Sequence, residues 1–162
     1  MAGIYGTANN DVLKGTVWDD YFLGYGGNDV LYGYSGNDYF EAGAGNDTVY
    51  GGDGDDYILG EDGDDVLYGQ AGNDYIRVGS GVNVLDGGVG DDTFSIDGGD
   101  NVLRGGAGDD VDFYQLYGGK NTIIDTDDSL AIDTVYIEID NLNDSERVGL
   151  DLHIKNPADA TE

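Results

Sequence analysis

The sequence predicts an all-β protein: a β-solenoid with two nonapeptides per rung, closed by a C-terminal β-hairpin cap. Three observations lead to this prediction. Twelve consecutive nine-residue units run without a break over residues 6–113. Every unit but the last has an apolar residue at position eight, and the sixth position is always Asp or Asn. An unbroken period means that each unit is one structural element that stacks on its neighbours.

Each unit is expected to be a turn followed by a short strand. The units vary on G-x-x-G-[ND]-D-x-U-x, where U is apolar, and residues 51–59 are one of the best copies. The β-branched and aromatic residues around position eight suit a strand whose middle side chain points inward. The glycines of the first six positions suit a turn with positive φ and close backbone approach. With turns alternating between two edges, equivalent residues lie eighteen apart.

The residues at position six indicate a metal. One edge of the solenoid would carry Asp20, Asp38, Asp56, Asp74, Asp92 and Asp110, and the other Asp11, Asp29, Asp47, Asp65, Asn83 and Asn101. Stacked strands lie about 4.8 Å apart, so these carboxylates would repel one another with nothing between them. Carboxylate and carbonyl oxygens favour a hard dication such as Ca²⁺. The alternative is a flexible Gly- and Asp-rich linker, but a linker has no reason to keep one apolar position in phase over twelve units.

Composition limits both stability and partners. The chain has 162 residues, a formal charge of −28, no cysteine and one proline. A core of one side chain per strand cannot offset the entropy cost of ordering the repeats, so folding is expected to need metal rather than disulfides. The negative charge argues against nucleic acid, anionic lipid and polyanionic glycans as partners. With no signal peptide or apolar span, no membrane insertion is expected, and Met1 followed by repeat-like sequence suggests an excised piece of a larger protein.

The repeats over residues 6–113 resemble the hemolysin-type calcium-binding repeats of the RTX (repeats in toxin) superfamily. The resemblance implies a right-handed parallel β-roll, export by a bacterial type I secretion machinery, and a secreted, extracellular location. It also implies roughly eight to ten Ca²⁺ ions, each held between two turns of one edge. In the family, one turn gives the carbonyls of positions two and four and its position-six carboxylate. The next turn on that edge gives the carbonyls of positions one and three and its own carboxylate.

The family's ligand pattern can be carried over residue by residue. One implied site joins Gly52, Gly54 and Asp56 to Gly69, Ala71 and Asp74. Another joins Gly43, Gly45 and Asp47 to Gly60, Asp62 and Asp65. The remaining implied metal residues are Asp11, Asp20, Asp29, Asp38, Asp92, Asp110, Gly27, Gly36, Gly63, Gly72, Gly87 and Gly90.

Departures from the repeat divide the chain into three predicted segments. Residues 1–23 are expected to be a degenerate N-terminal cap, because Asn9 and Trp18 replace the glycine of position four. Residues 24–113 form the calcium-binding roll, which Asp112 is expected to end by placing a carboxylate at a core position. Residues 114–162 hold an imperfect repeat and two alternating apolar runs, at 135–139 and 148–154, which predict the capping hairpin.

Two functions remain open at the level of sequence. The chain has no H-E-x-x-H, G-x-S-x-G or P-loop motif, so it is not expected to be an enzyme. The leading hypothesis is a calcium-dependent folding and secretion module of a larger secreted protein. The alternative is a recognition module of an adhesin or polysaccharide-modifying enzyme, which binds a neutral glycan or a protein through exposed tyrosine ladders. The predicted ladders are Tyr21, Tyr39, Tyr57 and Tyr75 on one sheet and Tyr32, Tyr50 and Tyr68 on the other.

Overall fold

The fold is all-β, and the described residues form fifteen short strands. The structure is a computed structural model, which describes residues 1–108, 111–115, 121–124 and 134–138. The strands are β1 (Ala2–Tyr5), β2 (Val12–Lys14), β3 (Asp20–Leu23), β4 (Val30–Ser35), β5 (Tyr39–Ala44), β6 (Thr48–Asp53), β7 (Tyr57–Asp62), β8 (Val66–Ala71), β9 (Tyr75–Val78), β10 (Val84–Val89), β11 (Thr93–Ile96), β12 (Val102–Ala107), β13 (Val111–Gln115), β14 (Thr122–Ile124) and β15 (Thr134–Glu138). Across these ranges there is no helix with the length and apolar character needed to span a membrane.

The strands form two parallel sheets wound as one solenoid of about six turns. The odd-numbered strands build an eight-stranded sheet in the order β1-β3-β5-β7-β9-β11-β13-β15, and the even-numbered strands build a seven-stranded sheet. Each strand therefore pairs with the next but one in sequence. Phe40 lies opposite Ile58 in the first sheet and Val49 opposite Leu67 in the second, a register of eighteen residues. The predicted rung of two nonapeptides is confirmed.

The core lies between the two sheets and takes one or two inward side chains from each strand. It contains the apolar position-eight residues, all of them buried: Leu13, Phe22, Leu31, Phe40, Val49, Ile58, Leu67, Ile76, Leu85, Phe94 and Leu103. Three further core residues, Ala42, Val78 and Ile96, stand at position one of their units and are also buried. Position one lies two residues after position eight, so strand alternation turns it inward as well.

The parallel sheets continue past Asp112, so the expectation that this residue ends the roll is wrong. In backbone register, Asp112 lies opposite Phe94 on one side and Val135 on the other. The first strand of the predicted hairpin is thus β15, and it extends the first sheet in parallel. The hairpin's second strand, at 148–154, lies outside the described residues. The repeat pattern could not reveal this continuation, because the spacing between paired strands grows from eighteen to twenty and then twenty-three residues.

Both predicted tyrosine ladders are present. Neighbouring rings from Tyr21 to Tyr75 stack with centroid distances of 5.1, 5.1 and 4.6 Å. The ladder on the second sheet, from Tyr32 to Tyr68, has spacings of 5.0 and 5.1 Å. Because the rings face one another, most of each face is covered, and Tyr57 is the most exposed ladder member of the first sheet at 37 %. Such pairs stabilise neighbouring strands of a sheet.

Eight turns of the described chain have positive φ at both position two and position four. In the turn before Asp56, these are Gly52 at 126° and Gly54 at 127°. Position four is glycine in every such turn, but four turns place another residue at position two: Tyr25, Tyr34, Glu61 and Gln70. A side chain in this region costs about 1–2 kcal/mol. These four residues therefore account for part of the backbone strain in the turns of the roll.

Replacing Gln70 by Gly is expected to stabilise the folded roll by about 1 kcal/mol, because it relieves a φ of 84°. The Gln70 side chain is exposed, so little packing is lost. The measurement is the urea midpoint under conditions that fold the parent chain. Ala71→Gly, at the next residue, is the control, and it should lower stability by about 0.5–1 kcal/mol because its backbone gains nothing from glycine. Equal losses in both variants would contradict the strain assignment.

Candidate metal centre

The position-six aspartates line the two edges of the roll in buried rows. On one edge, the Asp38 amide N–H donates to Oδ1 of Asp56, and the Asp56 N–H to Oδ1 of Asp74, both at 2.8 Å. On the other edge, the Asp47 N–H donates to Oδ1 of Asp65 at 2.9 Å. Asp56 is only 3 % exposed and Asp65 is fully buried. One oxygen of each carboxylate is therefore fixed by the backbone of the preceding rung.

The second oxygen of these carboxylates is the unusual feature. In six of them, Oδ2 is buried and finds no hydrogen-bond donor within the described part of the chain: Asp29, Asp38, Asp47, Asp56, Asp65 and Asp74. A buried charged oxygen without a partner costs at least several kcal/mol, and proteins avoid it by pairing the charge or binding a metal. A row of such oxygens at one register position is the arrangement expected of cation ligands.

Burial also opposes ionisation of these aspartates. It raises the pKa of Asp56 to about 8, and the charges of Asp74 and Asp38 add to the shift. Burial likewise raises the pKa of Asp65 to about 7 and that of Asp38 and Asp74 to about 6. Without a cation, the folded roll therefore holds carboxylates in an environment that disfavours their charge.

Backbone carbonyls also point into the interval between two consecutive turns of one edge, where the aspartate carboxylates lie. A Cβ added at Gly72 would collide with the Gly54 carbonyl oxygen, so that oxygen faces the next turn of its edge. From that next turn, Ala71 O accepts the Gly54 N–H at 2.7 Å, and Gly69 O would lie 2.7 Å from a Cβ on Gly51. The carbonyls of position four thus face forward, and those of positions one and three face back. Three of the carbonyls named for the site between Asp56 and Asp74, those of Gly54, Gly69 and Ala71, thus lie along this interval, and the ligand set stays a prediction.

The other edge repeats the arrangement. The Gly45 carbonyl faces Gly63, and the Gly45 N–H donates to Asp62 O at 3.0 Å. These contacts accompany the pair formed by Asp47 and Asp65. Among the described residues, no three acidic or histidine side chains gather at one point. An ion between turns must therefore draw on backbone carbonyls as well as two carboxylates, which is chemistry that suits Ca²⁺.

Other residues in the predicted set occupy equivalent places. Position four is occupied by Gly27, Gly36, Gly63, Gly72 and Gly90, all with positive φ. Asp29 and Asp92 are buried in the two rows, and Gly87 leaves no room for a Cβ beside the Asp92 carboxylate. Asp11 and Asp20 differ, because Oδ2 of each carboxylate accepts hydrogen bonds from a threonine of its own turn, and Oδ1 of Asp20 also accepts the Ala2 N–H. Asp110 lies outside the described residues.

Asn83 and Asn101 mark a change in the second edge. The Asn83 side-chain amide donates to Oδ1 of Asn101 at 2.8 Å, so the two residues are joined directly. Both turns carry a branched apolar residue at position one, Val78 and Ile96. In the turns with buried aspartates, position one is usually glycine because the carboxylate Oδ2 lies against it, as Asp56 does against Gly51. In these two turns an asparagine amide takes the place of the aspartate carboxylate at position six, and a branched apolar residue takes the place of the glycine at position one.

Position five holds a second ladder that the sequence pattern did not reveal. The Asn46 N–H donates to Oδ1 of Asn28 at 3.0 Å, and the Asp64 N–H to Oδ1 of Asn46 at 3.1 Å. Asp55 and Asn37 are joined in the same way on the opposite edge, at 3.1 Å. These bonds run towards the preceding rung, whereas those of position six run towards the following one. The [ND] preference at position five was the available signal, since both residues supply Oδ1.

A comparison with protein families identifies the repeats. The model of the RTX calcium-binding nonapeptide repeat matches four times, at residues 5–40, 32–67, 59–94 and 97–111. The chain belongs to this RTX repeat family. No curated protein matches the chain. RTX repeats bind Ca²⁺ in general, and the orphaned aspartate oxygens and converging carbonyls of this roll fit that ion.

The pKa values predict how the metal-free RTX roll responds to pH. The folded state holds protons on Asp56 and Asp65 up to about pH 8 and 7, whereas the unfolded chain releases them near pH 4. The folded state therefore binds more protons in this window, and its stability rises as pH falls. In EDTA, the β signal in circular dichroism is expected to grow as the pH falls from about 8 towards 4.

The control for this prediction is the double variant Asp56→Asn with Asp65→Asn. Neutral amides cannot titrate, so the variant should show more β signal in EDTA at high pH and a weaker response to acid. Sedimentation at each pH separates folding from association. A parent chain whose EDTA spectrum ignores pH would contradict the assigned pKa shifts.

Proposed function

We propose that this chain is a calcium-binding β-roll module that folds on Ca²⁺ binding outside the cell, as part of a larger secreted bacterial protein exported by a type I machinery. The observation that carries the proposal is the row of buried aspartate Oδ2 atoms that meet no donor in the described chain. Membership of the RTX family supplies the expected ion. In this role the module is a structural element and not an enzyme.

The proposed ligands of each ion are the carboxylates and carbonyls that lie between two consecutive turns of one edge. One ion is held by Gly52, Gly54 and Asp56 from one turn and Gly69, Ala71 and Asp74 from the next. On the opposite edge, one ion is held by Gly43, Gly45 and Asp47 with Gly60, Asp62 and Asp65. Each internal aspartate faces two intervals, so each carboxylate contributes to two sites.

The dependence of folding on calcium follows from charge and core size. The chain carries a net charge of −28, and its buried aspartates repel one another along each edge. Its core takes only one or two side chains from each strand, which leaves little apolar burial to offset the repulsion and the entropy of ordering. Ca²⁺ between turns supplies both neutralisation and cross-links.

The secretion role follows from the calcium concentrations on the two sides of the membrane. Extracellular calcium modules bind at about 10⁻⁴–10⁻³ M, far above cytosolic concentrations. A chain with such sites stays unfolded in the cytosol, which suits passage through a narrow exporter, and folds after release. Sequential rungs then allow folding to propagate from one turn to the next.

The test compares two adjacent substitutions that change the charge equally. Asp56→Asn should lose about two bound ions, measured by equilibrium dialysis, and should raise the calcium midpoint of folding, measured by circular dichroism. Asp55→Asn is the control: Asp55 is exposed, and an amide there keeps the Oδ1 that accepts the Asn73 N–H. Its stoichiometry and midpoint should stay close to those of the parent.

Two results would contradict the proposal. One is a full β spectrum of the parent chain in EDTA at neutral pH. The other is equal stoichiometry in the Asp56 and Asp55 variants, which would remove the buried aspartates from the binding sites.

A second candidate function is recognition of a neutral glycan or a protein by the tyrosine ladders. It is favoured by the regular ring spacing and by the exposure of Tyr57. The hydroxyls and ring edges, rather than the covered faces, would meet the ligand. Tyr21 already donates from its hydroxyl to Glu41 at 3.1 Å, so polar groups accompany this ladder.

Tyr39→Ala with Tyr57→Ala separates recognition from sheet stabilisation. If the ladder is a recognition surface, the variant should fold normally at saturating calcium and lose binding on a glycan array. If the ladder only stabilises the sheet, the variant should need more calcium to fold, and no glycan signal should depend on it. Tyr50→Ala with Tyr68→Ala, on the opposite sheet, is the control for a binding face. A loss of binding shared by both double variants would argue against a specific ladder.

A further inference from the structure

The first turn on each edge satisfies its aspartate without metal. Thr7 donates to Oδ2 of Asp11 from its amide at 2.6 Å and from its hydroxyl at 2.8 Å. Thr16 makes the same pair of bonds to Oδ2 of Asp20, at 2.7 and 2.9 Å. This is the oxygen that stays unmatched in the following turns. Two donors from one threonine therefore stand where the later turns need a cation.

Both threonines occupy position two of their units, and the backbone differs there. In the next turn on each edge, position two has positive φ, as in Tyr25 and Tyr34. Thr7 and Thr16 lie outside the positive-φ positions of the described chain. The Thr16 hydroxyl oxygen also accepts the Trp18 N–H at 3.1 Å, which closes the turn on its own side chain. A position-two threonine thus selects a different, locally hydrogen-bonded turn.

The carbonyl of position four is also placed differently. Further along the roll, a Cβ added at Gly54 would collide first with the Gly36 carbonyl oxygen. Next to the second turn, a Cβ on Gly36 would instead meet the peptide joining Trp18 and Asp19, with the amide nitrogen and carbonyl carbon nearest at 2.6 Å. The Trp18 oxygen lies farther off, at 3.1 Å. The turn of Asp20 therefore lacks both an available carboxylate oxygen and the forward-facing carbonyl.

Electrostatics agree with this difference. Burial raises the pKa of Asp20, but hydrogen bonds from Thr16 and Ala2 bring it below the ordinary value. One rung further on the same edge, burial raises the pKa of Asp38 to about 6. The protein itself stabilises the charge of Asp20, whereas the charge of Asp38 needs a further partner.

We propose that Thr7 and Thr16 replace the metal in the first turn of each edge, so that the first rung is a calcium-independent cap. Calcium loading then begins between Asp29 and Asp47 on one edge and between Asp38 and Asp56 on the other. The inference rests on the calcium binding proposed above and makes the residue at position two a determinant of which turns take an ion. It removes Asp11 and Asp20 from the expected ligand set.

The decisive variant is Thr16→Gly with Trp18→Gly. It converts residues 15–20 to GGVGDD, the sequence of residues 87–92. With positive φ accessible at both positions, the turn should release Asp20 Oδ2 and gain about one calcium ion per molecule in equilibrium dialysis. Val17→Gly, at position three of the same turn, adds glycine but keeps Thr16, and it should bind as many ions as the parent. A folded double variant with unchanged stoichiometry overturns the inference.

A second comparison uses single substitutions of aspartates and leaves Thr16 and Trp18 in place. It tests the inference even when the double variant fails to fold. Asp20→Asn should leave the calcium stoichiometry unchanged, whereas Asp38→Asn on the same edge should lose about one ion or more. Loss of an ion from the Asp20 variant overturns the inference while calcium binding itself stands. A parent chain that binds no calcium overturns the proposed function first, so the two failures are distinguishable.

Discussion

The pairing of the second oxygen of each buried aspartate is the interaction on which the rest of the roll depends. The first oxygen is held throughout by a backbone N–H from the neighbouring rung, as Asp56 is by Asp38. The second oxygen is treated in different ways along the chain. Thr16 supplies donors at the N-terminal end, and in the middle the oxygen meets no protein donor in the described residues. Near the other end of one edge, the oxygen is replaced by the amide of Asn83, which donates to the next rung.

The sequence was sufficient for the features that repeat at a fixed interval. An apolar residue at every ninth position required one inward side chain per strand, and Ile58 is buried between the more exposed Tyr57 and Leu59. Two turns per rung required a register of eighteen, which the pairing of Tyr39 with Tyr57 has. The pattern also placed the aspartates in rows. These features could be predicted because each one is enforced many times by the same local geometry.

Features carried by single departures from the repeat were harder to predict. The hydrogen bonds of Thr16 depend on a local turn shape, which a pattern of residue types does not specify. Val78 and Ile96 enter the core because their turns no longer place a carboxylate against position one. The connections that lead to β15 differ in length from those of the repeats. The nine-residue period therefore could not predict its parallel pairing. Individual ligands could be assigned only through the family pattern, because a nine-residue period does not specify which carbonyls face the space between two turns.

The strict sequential stacking of the rungs has a mechanical consequence. Because each strand pairs with strands about eighteen residues away, β1 and β15 lie at opposite ends of the first sheet. Tension applied through the two ends of the chain is therefore borne by one rung at a time. Each rung that detaches would lengthen the chain by about 60 Å while shortening the solenoid by about 4.8 Å. A roll held by ions between rungs would then extend in equal steps, each tied to the release of metal, and would act as an extensible tether whose stiffness is set by the calcium concentration.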